Sequence, residues 1–274
     1  MTRPFPDLTR LSLNQATTQH LSVREAVDGC ARAGIPWIGL WRDKIAATGV
    51  EESARIVRDA GLCVSGLCRG GYFPAATAAE RQERIEDNRR ALDEAAAVGT
   101  DTLVLVCGPA PDRDIHAARQ MVEEGIAAII PYAAERGVRL GIEPLHPVFA
   151  GDRSVVASLR EANDIVERLD SPQVGVVIDV YHVWWDVEVE AQIARAAGHT
   201  FGFHINDWLA PPPHVLLGRG MMGDGVIEIR HLRGLVDAAG YTGPIEVEIF
   251  NQAIWDTPGD EVLQTMCERY LAYA

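Results

Sequence analysis

Short apolar runs alternate with amphipathic stretches along the whole chain. Eight of these runs have the length of buried strands: RLSLN (10–14), WIGLW (37–41), CVSGLC (63–68), TLVLVC (102–107), VRLGIE (138–143), VGVVID (174–179), TFGFHI (200–205) and PIEVEI (244–249). The stretches between them repeat apolar residues at helical spacing, as in residues 23–34 and 80–99. Strands that alternate with helices in this way predict a parallel sheet with right-handed crossover connections.

Glycines stand where several helical stretches give way to the next strand. They are Gly34, Gly61, Gly99, Gly137 and Gly240. A glycine at this point is typical of a helix C-cap that leads into a short connection. Eight such units close without a free edge, so we predict an α/β fold of the (β/α)8 TIM-barrel type, with one domain over residues 1–274. A doubly wound open sheet is the alternative, but no G-x-G-x-x-G follows the first strand.

Length and charge agree with one barrel that acts on a small molecule. The chain has 274 residues, of which 47% are hydrophobic, and a barrel of this type typically has about 250 residues. Its net charge of −14 disfavours nucleic acid and membranes as partners, because an acidic surface repels phosphate groups. The sequence leaves open whether the protein forms a homo-oligomer or binds a partner subunit.

The cysteines and the amino terminus indicate a cytoplasmic protein. Five cysteines are scattered without a C-x-x-C pair, as is typical of reduced thiols. The amino-terminal residues MTRPFPDLTR lack the apolar core of a signal peptide. No apolar run approaches the roughly 18 residues that a membrane-spanning helix needs.

Polar side chains end the fifth to the eighth predicted strands. They are Glu143, Asp179, His204 and Glu248. Parallel barrel strands open their carboxyl ends on one face, so we expect these side chains to meet there. Three carboxylates in one place would repel one another unless a cation bound them. Oxygen ligands with one imidazole and no thiolate favour Mn²⁺, with Mg²⁺, Co²⁺ or Zn²⁺ as alternatives.

The second half of the chain also carries a family resemblance. The segments GDGVIEI (223–229) and AAGYTGPIEVEIF (238–250), together with the four strand-end residues, resemble the sugar phosphate isomerase/epimerase superfamily of xylose-isomerase-like barrels. That superfamily includes ketose 3-epimerases, hydroxypyruvate isomerase and inosose dehydratase. The resemblance covers nearly the whole chain, and it implies that the four strand-end residues are the metal ligands.

The same resemblance implies roles at the reaction centre. Glu143 and Glu248 would form the catalytic acid/base pair that moves a proton α to a carbonyl, with metal binding alone as the alternative. The metal would stabilise the resulting enediolate as a Lewis acid. His182, three residues after Asp179, and Arg219, before a glycine-rich turn, would hold the substrate.

Other residues near the strand ends are candidates for substrate binding. They are Trp41, Trp184, Trp208 and His146. Aromatic rings suit the apolar face of a sugar, whereas His146 is equally consistent with a solvated loop histidine. Glu246 either supports a ligand or forms a salt bridge in the core. No clustered basic loop favours a phosphorylated substrate, although Lys44 and Arg69 are candidates, so we expect a free or glycosidic keto-sugar or a cyclitol.

Two functions share this predicted site. The first is a metal-dependent isomerase or epimerase of keto-sugars or related polyols, and the alternative is a lyase or dehydratase that eliminates a β-leaving group from a keto-sugar, keto-glycoside or inosose. Both reactions begin with the same proton abstraction, so the sequence does not separate them. A phosphodiesterase like endonuclease IV would need more histidines and a basic groove. A sugar-binding subunit without activity would lack a ligand.

One long irregular segment, residues 207–227, follows the seventh predicted strand. It is longer than an ordinary connection between strand and helix, so we expect it to cover the site. Its run Pro211–Pro213 would stiffen one arm, while four glycines would leave the other free to rearrange. Asp207, at its start, either orients a ligand or pairs with Arg219.

Overall fold

The computed structural model describes residues 7–274. The first six residues of the amino-terminal segment, for which the sequence predicts no signal peptide, therefore lie outside the described residues. Ten strands are present: β1 Leu11–Asn14, β2 Trp37–Trp41, β3 Cys63–Gly71, β4 Thr102–Val106, β5 Arg139–Ile142, β6 Val174–Asp179, β7 Thr200–Ile205, β8 Asp207–Trp208, β9 Arg219–Gly220 and β10 Ile245–Val247. Eight of them form a closed barrel in the order β1-β10-β7-β6-β5-β4-β3-β2. The predicted (β/α)8 barrel is thus confirmed.

Helices connect the strands and surround the barrel. They are α1 Val23–Ala33, α2 Arg42–Thr48, α3 Val50–Asp59, α4 Ala78–Val98, α5 Ile115–Arg136, α6 Leu159–Leu169, α7 Val180–Val183, α8 Val189–Arg195, α9 Ile229–Ala238, α10 Gln252–Trp255 and α11 Gly259–Tyr273. Two short 3-10 helices span Gln15–Thr18 and Pro147–Phe149. Across residues 7–274, none of the helices has both the length and the apolar character that a membrane crossing requires.

Local sequence signals fix where the helices begin and end. Ser22 and Thr77 each form a capping box with a glutamate three residues later, which satisfies backbone donors at the start of α1 and α4. Gly34, Gly99 and Gly137 follow α1, α4 and α5 with positive φ angles of 72°, 85° and 66°, the left-handed conformation that favours glycine. These glycines are among those that the sequence identifies as helix ends.

The strand boundaries determine where the polar side chains stand. Strands β2, β6 and β7 have the predicted bounds, whereas β3 continues three residues further, to Gly71. β5 ends at Ile142 and β10 at Val247, one residue before Glu143 and Glu248 respectively. Both glutamates continue the backbone ladder, because Glu143 N donates to Leu105 O at 3.1 Å and Glu248 N donates to Ile205 O at 3.2 Å. Their positions at the barrel opening are therefore as regular as those of strand residues.

A polar layer fills the barrel next to this opening. Glu246 is 4% exposed, and its Oε2 accepts a hydrogen bond from Asn14 Nδ2 at 2.9 Å. A Cβ atom at Gly39 would lie 2.2 Å from the same carboxylate oxygen, and one at Gly66 would lie 3.2 Å from the other. The two glycines thus leave the space that a buried carboxylate needs.

Candidate active site

Four side chains converge at the carboxyl ends of the last four barrel strands. Glu143, Asp179, His204 and Glu248 each offer a ligand atom, and these atoms all lie within 4.8 Å of one another. The strands dictate this arrangement, since Asp179 on β6 is aligned with His204 on β7. All four side chains are buried, with at most 4% of each residue exposed.

The donor atoms of this cluster fit a cation. Glu143 Oε1 and His204 Nδ1 lie 3.3 Å apart. Both atoms are buried, and neither has a hydrogen-bond partner within the described chain. Buried polar atoms normally form hydrogen bonds, so this oxygen and nitrogen, whose contact is an ion pair without hydrogen-bond geometry, are suited to bind a cation instead. Carboxylate oxygens with one imidazole nitrogen are a donor set that binds divalent metals.

Glu246 lies behind His204. Its Oε2 is 3.6 Å from His204 Nε2, while Nδ1 on the other side of the ring faces Glu143. A carboxylate behind a histidine orients the ring and raises the basicity of its free nitrogen. Of the two interpretations that the sequence offers for Glu246, the structure favours support of a candidate ligand.

Asp179 is held from three directions. Its Oδ1 accepts hydrogen bonds from Tyr181 N at 2.9 Å and from Asn206 Nδ2 at 3.0 Å. Its Oδ2 accepts a hydrogen bond from Arg219 Nη1 at 2.8 Å, and the same nitrogen donates to Glu248 Oε2 at 2.8 Å. Arg219 therefore bridges two of the three carboxylates and partly offsets their repulsion. Asn206 is a functional candidate that sequence reasoning missed, although it stands two residues after His204.

His182 is buried beside the cluster. Its Nδ1 accepts a hydrogen bond from His146 N at 3.0 Å, so a neutral ring carries its proton on Nε2. With Nε2 protonated, Arg219 Nη2 at 3.2 Å cannot donate to it, so this contact places two N–H donors side by side, while Asp179 Oδ2 lies 3.7 Å from Nε2. Burial lowers the pKa of His182 to about 3, despite the nearby aspartate. The neutral imidazole can therefore present an N–H group to a ligand oxygen.

Burial and mutual repulsion shift the other titratable groups. Burial, together with the nearby Glu143, raises the pKa of Glu248 to about 8 against the opposing effect of Arg219. Burial lowers the pKa of His204, but the surrounding glutamates outweigh it and raise the value to about 10. The metal-free site thus retains protons at neutral pH, and a divalent cation would displace them on binding.

A cavity of about 140 Å³ opens above this cluster. Trp41, His182 and Arg219, three of the predicted substrate-binding residues, line it together with Glu143 and Glu248. Its other walls are Cys68, Arg69, Val106, Leu145, Phe149, Arg153, Leu216 and Phe250. The cavity therefore combines carboxylates at the buried end with apolar and basic side walls.

The remaining three predicted substrate contacts lie beside the cavity rather than in its lining. His146 stacks on Trp208, with ring centroids 5.2 Å apart, and Trp208 packs on Tyr181 at 4.6 Å. Trp184 contacts Trp208 at 5.7 Å. These rings pack against one another next to the cavity wall, so substrate contact by His146, Trp184 and Trp208 stays a prediction.

Several cavity residues escaped the sequence analysis because they lie in loops without a periodic pattern. Phe149 and Arg153 follow β5, and Leu216 belongs to the long segment after β7. Arg69, which the sequence offers only as a phosphate candidate together with Lys44, is part of the lining. Lys44 instead donates a hydrogen bond to Gln19 O at 2.5 Å.

Residues 207–227 pack at the cavity opening. Strands β8 and β9 form an antiparallel pair, and Val215 O accepts a hydrogen bond from Tyr181 Oη at 2.6 Å. Asp207 neither orients a ligand nor pairs with Arg219, since its carboxylate accepts hydrogen bonds from backbone N–H groups of residues 223, 225 and 227. The placement agrees with the expected cover, while its movement stays a prediction.

The family model for the xylose isomerase-like TIM barrel matches residues 27–270. Among curated proteins, 3-dehydroshikimate dehydratase of Pseudomonas putida is 23% identical over 244 residues, which are 85% of this chain but 37% of that protein. This chain thus spans little more than a third of the dehydratase. L-Ribulose-5-phosphate 3-epimerase UlaE of Shigella sonnei is 22% identical over 75% of this chain and 71% of its own length.

Two solved structures extend the comparison. Protein SMc04130 from Sinorhizobium meliloti 1021 is 51% identical, with a TM-score of 0.96, and the match covers 98% of this chain and 99% of that one. The IolI protein, crystallised with a bound zinc atom, has a TM-score of 0.86 at 18% identity over 97% of this chain and 98% of its own. At that identity the similarity to IolI establishes a common fold alone.

Proposed function

The chain belongs to the xylose isomerase-like TIM-barrel family, and from this premise we propose that it is a metal-dependent isomerase or epimerase of keto-sugars or related polyols. The observation that carries the proposal is the position of Glu143 and Glu248, which belong to the four-residue cluster and also line the cavity. Two carboxylates that reach both a metal and a substrate are suited to proton transfer next to a polarised carbonyl.

The metal site of this proposal consists of Glu143, Asp179, His204 and Glu248. The atoms of Glu143 and His204 without hydrogen bonds support it, as does the zinc of the related IolI barrel. Mn²⁺ is the metal that the donor set favours, with Mg²⁺, Co²⁺ and Zn²⁺ as alternatives. When bound, the metal supplies Lewis-acid chemistry that stabilises negative charge on the substrate oxygens.

Proton transfer is assigned to Glu143 and Glu248. One carboxylate removes the proton α to the carbonyl, and the other returns a proton to the substrate from its own side. Glu248 is suited to hold a proton in the metal-free site, because its pKa is raised to about 8. Neither group has to move far, since their ligand atoms lie within 4.8 Å of each other.

His182 and Arg219 bind and orient the substrate in this scheme. The Nε2–H group of His182 donates to a substrate oxygen, and its Nδ1 is fixed by the backbone of His146. Arg219 Nη2 lies 3.2 Å from His182 Nε2, so both donors address the same part of the cavity. Two donors that converge on one region select the substrate orientation that places the carbonyl near the metal ligands.

A dehydratase is the second candidate. The similarity to 3-dehydroshikimate dehydratase favours it, although this chain spans 37% of that protein. Elimination needs the same proton abstraction, after which the C–O bond at the β-carbon breaks and the hydroxyl group takes up a proton and leaves as water. The two outcomes therefore differ only in the step after Glu143 or Glu248 has taken the proton.

Isotope exchange tests both candidates. Keto-sugars and keto-acids of the shikimate type are incubated with the Mn²⁺-loaded protein in D₂O, and the products are analysed by NMR. Isomerisation or epimerisation places deuterium on the carbon next to the carbonyl, whereas elimination gives an unsaturated product. Glu248→Gln should abolish exchange at full metal content, while Glu135→Gln, a change of an exposed glutamate, serves as the matched control. Full activity of metal-loaded Glu248→Gln would contradict the proton-transfer assignment.

A further inference from the structure

Two arginines face the cavity without a close carboxylate partner. Arg69 follows Cys68 on β3 and Arg153 lies in the loop after β5, and both line the cavity of about 140 Å³. They are 84 positions apart in the sequence (153 − 69), and only the barrel brings them to one cavity. Their side chains are partly exposed, whereas the carboxylate cluster is buried. The cavity thus has an acidic inner end and a basic mouth.

Arg153 has an unused donor. Its Nε is buried and makes no hydrogen bond to any described residue, and its ion pair with Asp152 Oδ2 is long, at 3.8 Å. The backbone of Arg153 is fixed, because its N donates to Phe149 O at 2.9 Å and its O accepts from Gly108 N at 2.9 Å. A buried guanidinium donor on an anchored backbone is suited to receive an oxygen from a ligand.

Arg69 is held by an aromatic ring. Its guanidinium lies 4.1 Å from the ring centroid of Tyr72, and no hydrogen bond or ion pair joins it to a described side chain. Tyr72 itself is fixed by a hydrogen bond from its N to Val106 O at 2.8 Å. Because the guanidinium lies over the Tyr72 ring, its N–H groups remain free to donate hydrogen bonds within the guanidinium plane.

These two arginines contrast with Arg42 in this acidic chain. Arg42, the residue after Trp41, forms ion pairs with Asp87 at 2.9 Å and with Glu94 at 2.5 Å. The chain has 39 acidic residues against 25 basic ones, so carboxylates to pair with an arginine are plentiful. Two arginines that line one cavity without close ion pairs point to an anion supplied by the ligand.

We propose that the substrate carries an anionic group, a carboxylate or a phosphate, which Arg69 and Arg153 bind at the cavity mouth. This inference rests on the proposed function and deepens it, since it names the class of keto-sugar or polyol. The anionic group points away from the three buried carboxylates, which would repel it. A substrate with one anionic end can then enter in one orientation, with its carbonyl towards Glu143 and Glu248. The sequence-based expectation of an uncharged substrate is revised accordingly.

A larger groove adjoins the cavity at Arg69. A groove of about 660 Å³ shares Trp41, Cys68 and Arg69 with the cavity, so Arg69 stands at the junction of the two. Arg84, on the exposed face of α4, lines the groove but not the cavity, and no ion pair joins it to a described residue. A substitution of Arg84 is therefore a matched control, because it should not affect an anion site that lies at Arg69, where the groove meets the cavity.

Three ligands that share a carbon skeleton and differ at one terminal carbon test the proposal. D-Fructose, D-fructose 6-phosphate and D-fructuronate are titrated into the Mn²⁺-loaded protein by calorimetry at constant ionic strength. We expect one of the two anionic ligands to bind at least about tenfold more tightly than D-fructose. Preference for the phosphate or for the carboxylate identifies the anion. Equal affinities, or no binding of any of the three in the millimolar range, would overturn the proposal.

Substitutions locate the anion. Arg153→Gln and Arg69→Gln should each lower the preference for the anionic ligand about tenfold, whereas Arg84→Gln should leave it within about twofold. Arg153→Lys, which retains the charge, should keep part of the preference, and thermal unfolding checks that each variant is folded. A preference that survives in both Gln variants, or that Arg84→Gln removes, would refute the assignment. Because the readout is binding, failure of isotope exchange would reject the proposed reaction and leave this result standing.

Discussion

The first four strands of the barrel and the last four bring different side chains to the same cavity. Strands β5, β6, β7 and β10 end in the carboxylates and the imidazole of the candidate metal site. Strands β2, β3 and β4 contribute Trp41, Cys68, Arg69 and Val106, none of which is acidic. The carboxyl-terminal half therefore supplies every acidic side chain of the cavity together with Arg153, His182 and Arg219, whereas the amino-terminal half supplies uncharged side chains and Arg69.

This division has an electrostatic reason. A metal site needs several carboxylates within a few ångströms, and their mutual repulsion is tolerable only around a cation. The opposite wall supplies apolar surface and Arg69, and it has no carboxylate that would compete for the same cation. Each strand ends on its own part of the rim, so the acidic side chains can gather on one side of the barrel.

Removal of a candidate ligand should have the largest effect. Asp179→Ala deletes a carboxylate that also pairs with Arg219, so we expect metal affinity to fall by more than about 100-fold and turnover to vanish. Metal analysis after dialysis, with Asp237→Ala as a control far from the cluster, measures the effect. Stoichiometric metal at unchanged affinity in Asp179→Ala would reject the assignment.

Loss of the proposed substrate contact of His182 should leave the metal bound. His182→Ala should retain a full equivalent of Mn²⁺ but lower kcat/KM by about 10- to 100-fold, because a buried donor to the substrate is removed. Parallel metal analysis and kinetics separate the two effects. If His182→Ala loses the metal, His182 is itself a ligand.

Substitution of Glu246, which lies behind His204, should have a smaller effect on metal affinity. Glu246→Gln keeps an oxygen beside Asn14 but loses the charge that faces His204, so metal affinity should fall by about tenfold. Competition with a chelator over a series of metal concentrations measures the change. An affinity equal to that of the unaltered protein would show that Glu246 acts on packing alone.

Substitution of Trp41, in the amino-terminal half of the barrel, should have the mildest effect on function. Trp41→Phe keeps an aromatic ring of smaller size but loses the hydrogen bond from Trp41 Nε1 to Asn14 Oδ1 at 2.7 Å, which contributes about 1 kcal/mol. We expect a rise in KM of about fivefold with unchanged metal content. A loss of metal in Trp41→Phe would break the proposed division between the two halves.

The barrel and the candidate ligands were predictable because they follow from the spacing of apolar residues along the chain. Apolar runs separated by helical stretches give eight strands, and the ends of parallel strands share one face. Glu143, Asp179, His204 and Glu248 could therefore be grouped before any contact was known. The sequence did not show which neighbouring residues support these ligands. Glu246, for example, fits behind His204 only because Gly39 and Gly66 leave space for its carboxylate.

The sequence by itself determined the barrel, its candidate ligands and the family, because these depend on strand order and on residues at strand ends. Only the tertiary structure decided the cavity walls. Arg153 lies in a connection whose direction depends on distant packing, and Arg69 lies in the part of β3 beyond its predicted end. No periodic pattern indicates that the two residues line one cavity. The same reason separates Trp41, which lines the cavity, from Trp184 and Trp208, which pack on neighbouring rings. Backbone periodicity is local, whereas the orientation of a loop side chain is set by contacts made across the whole barrel.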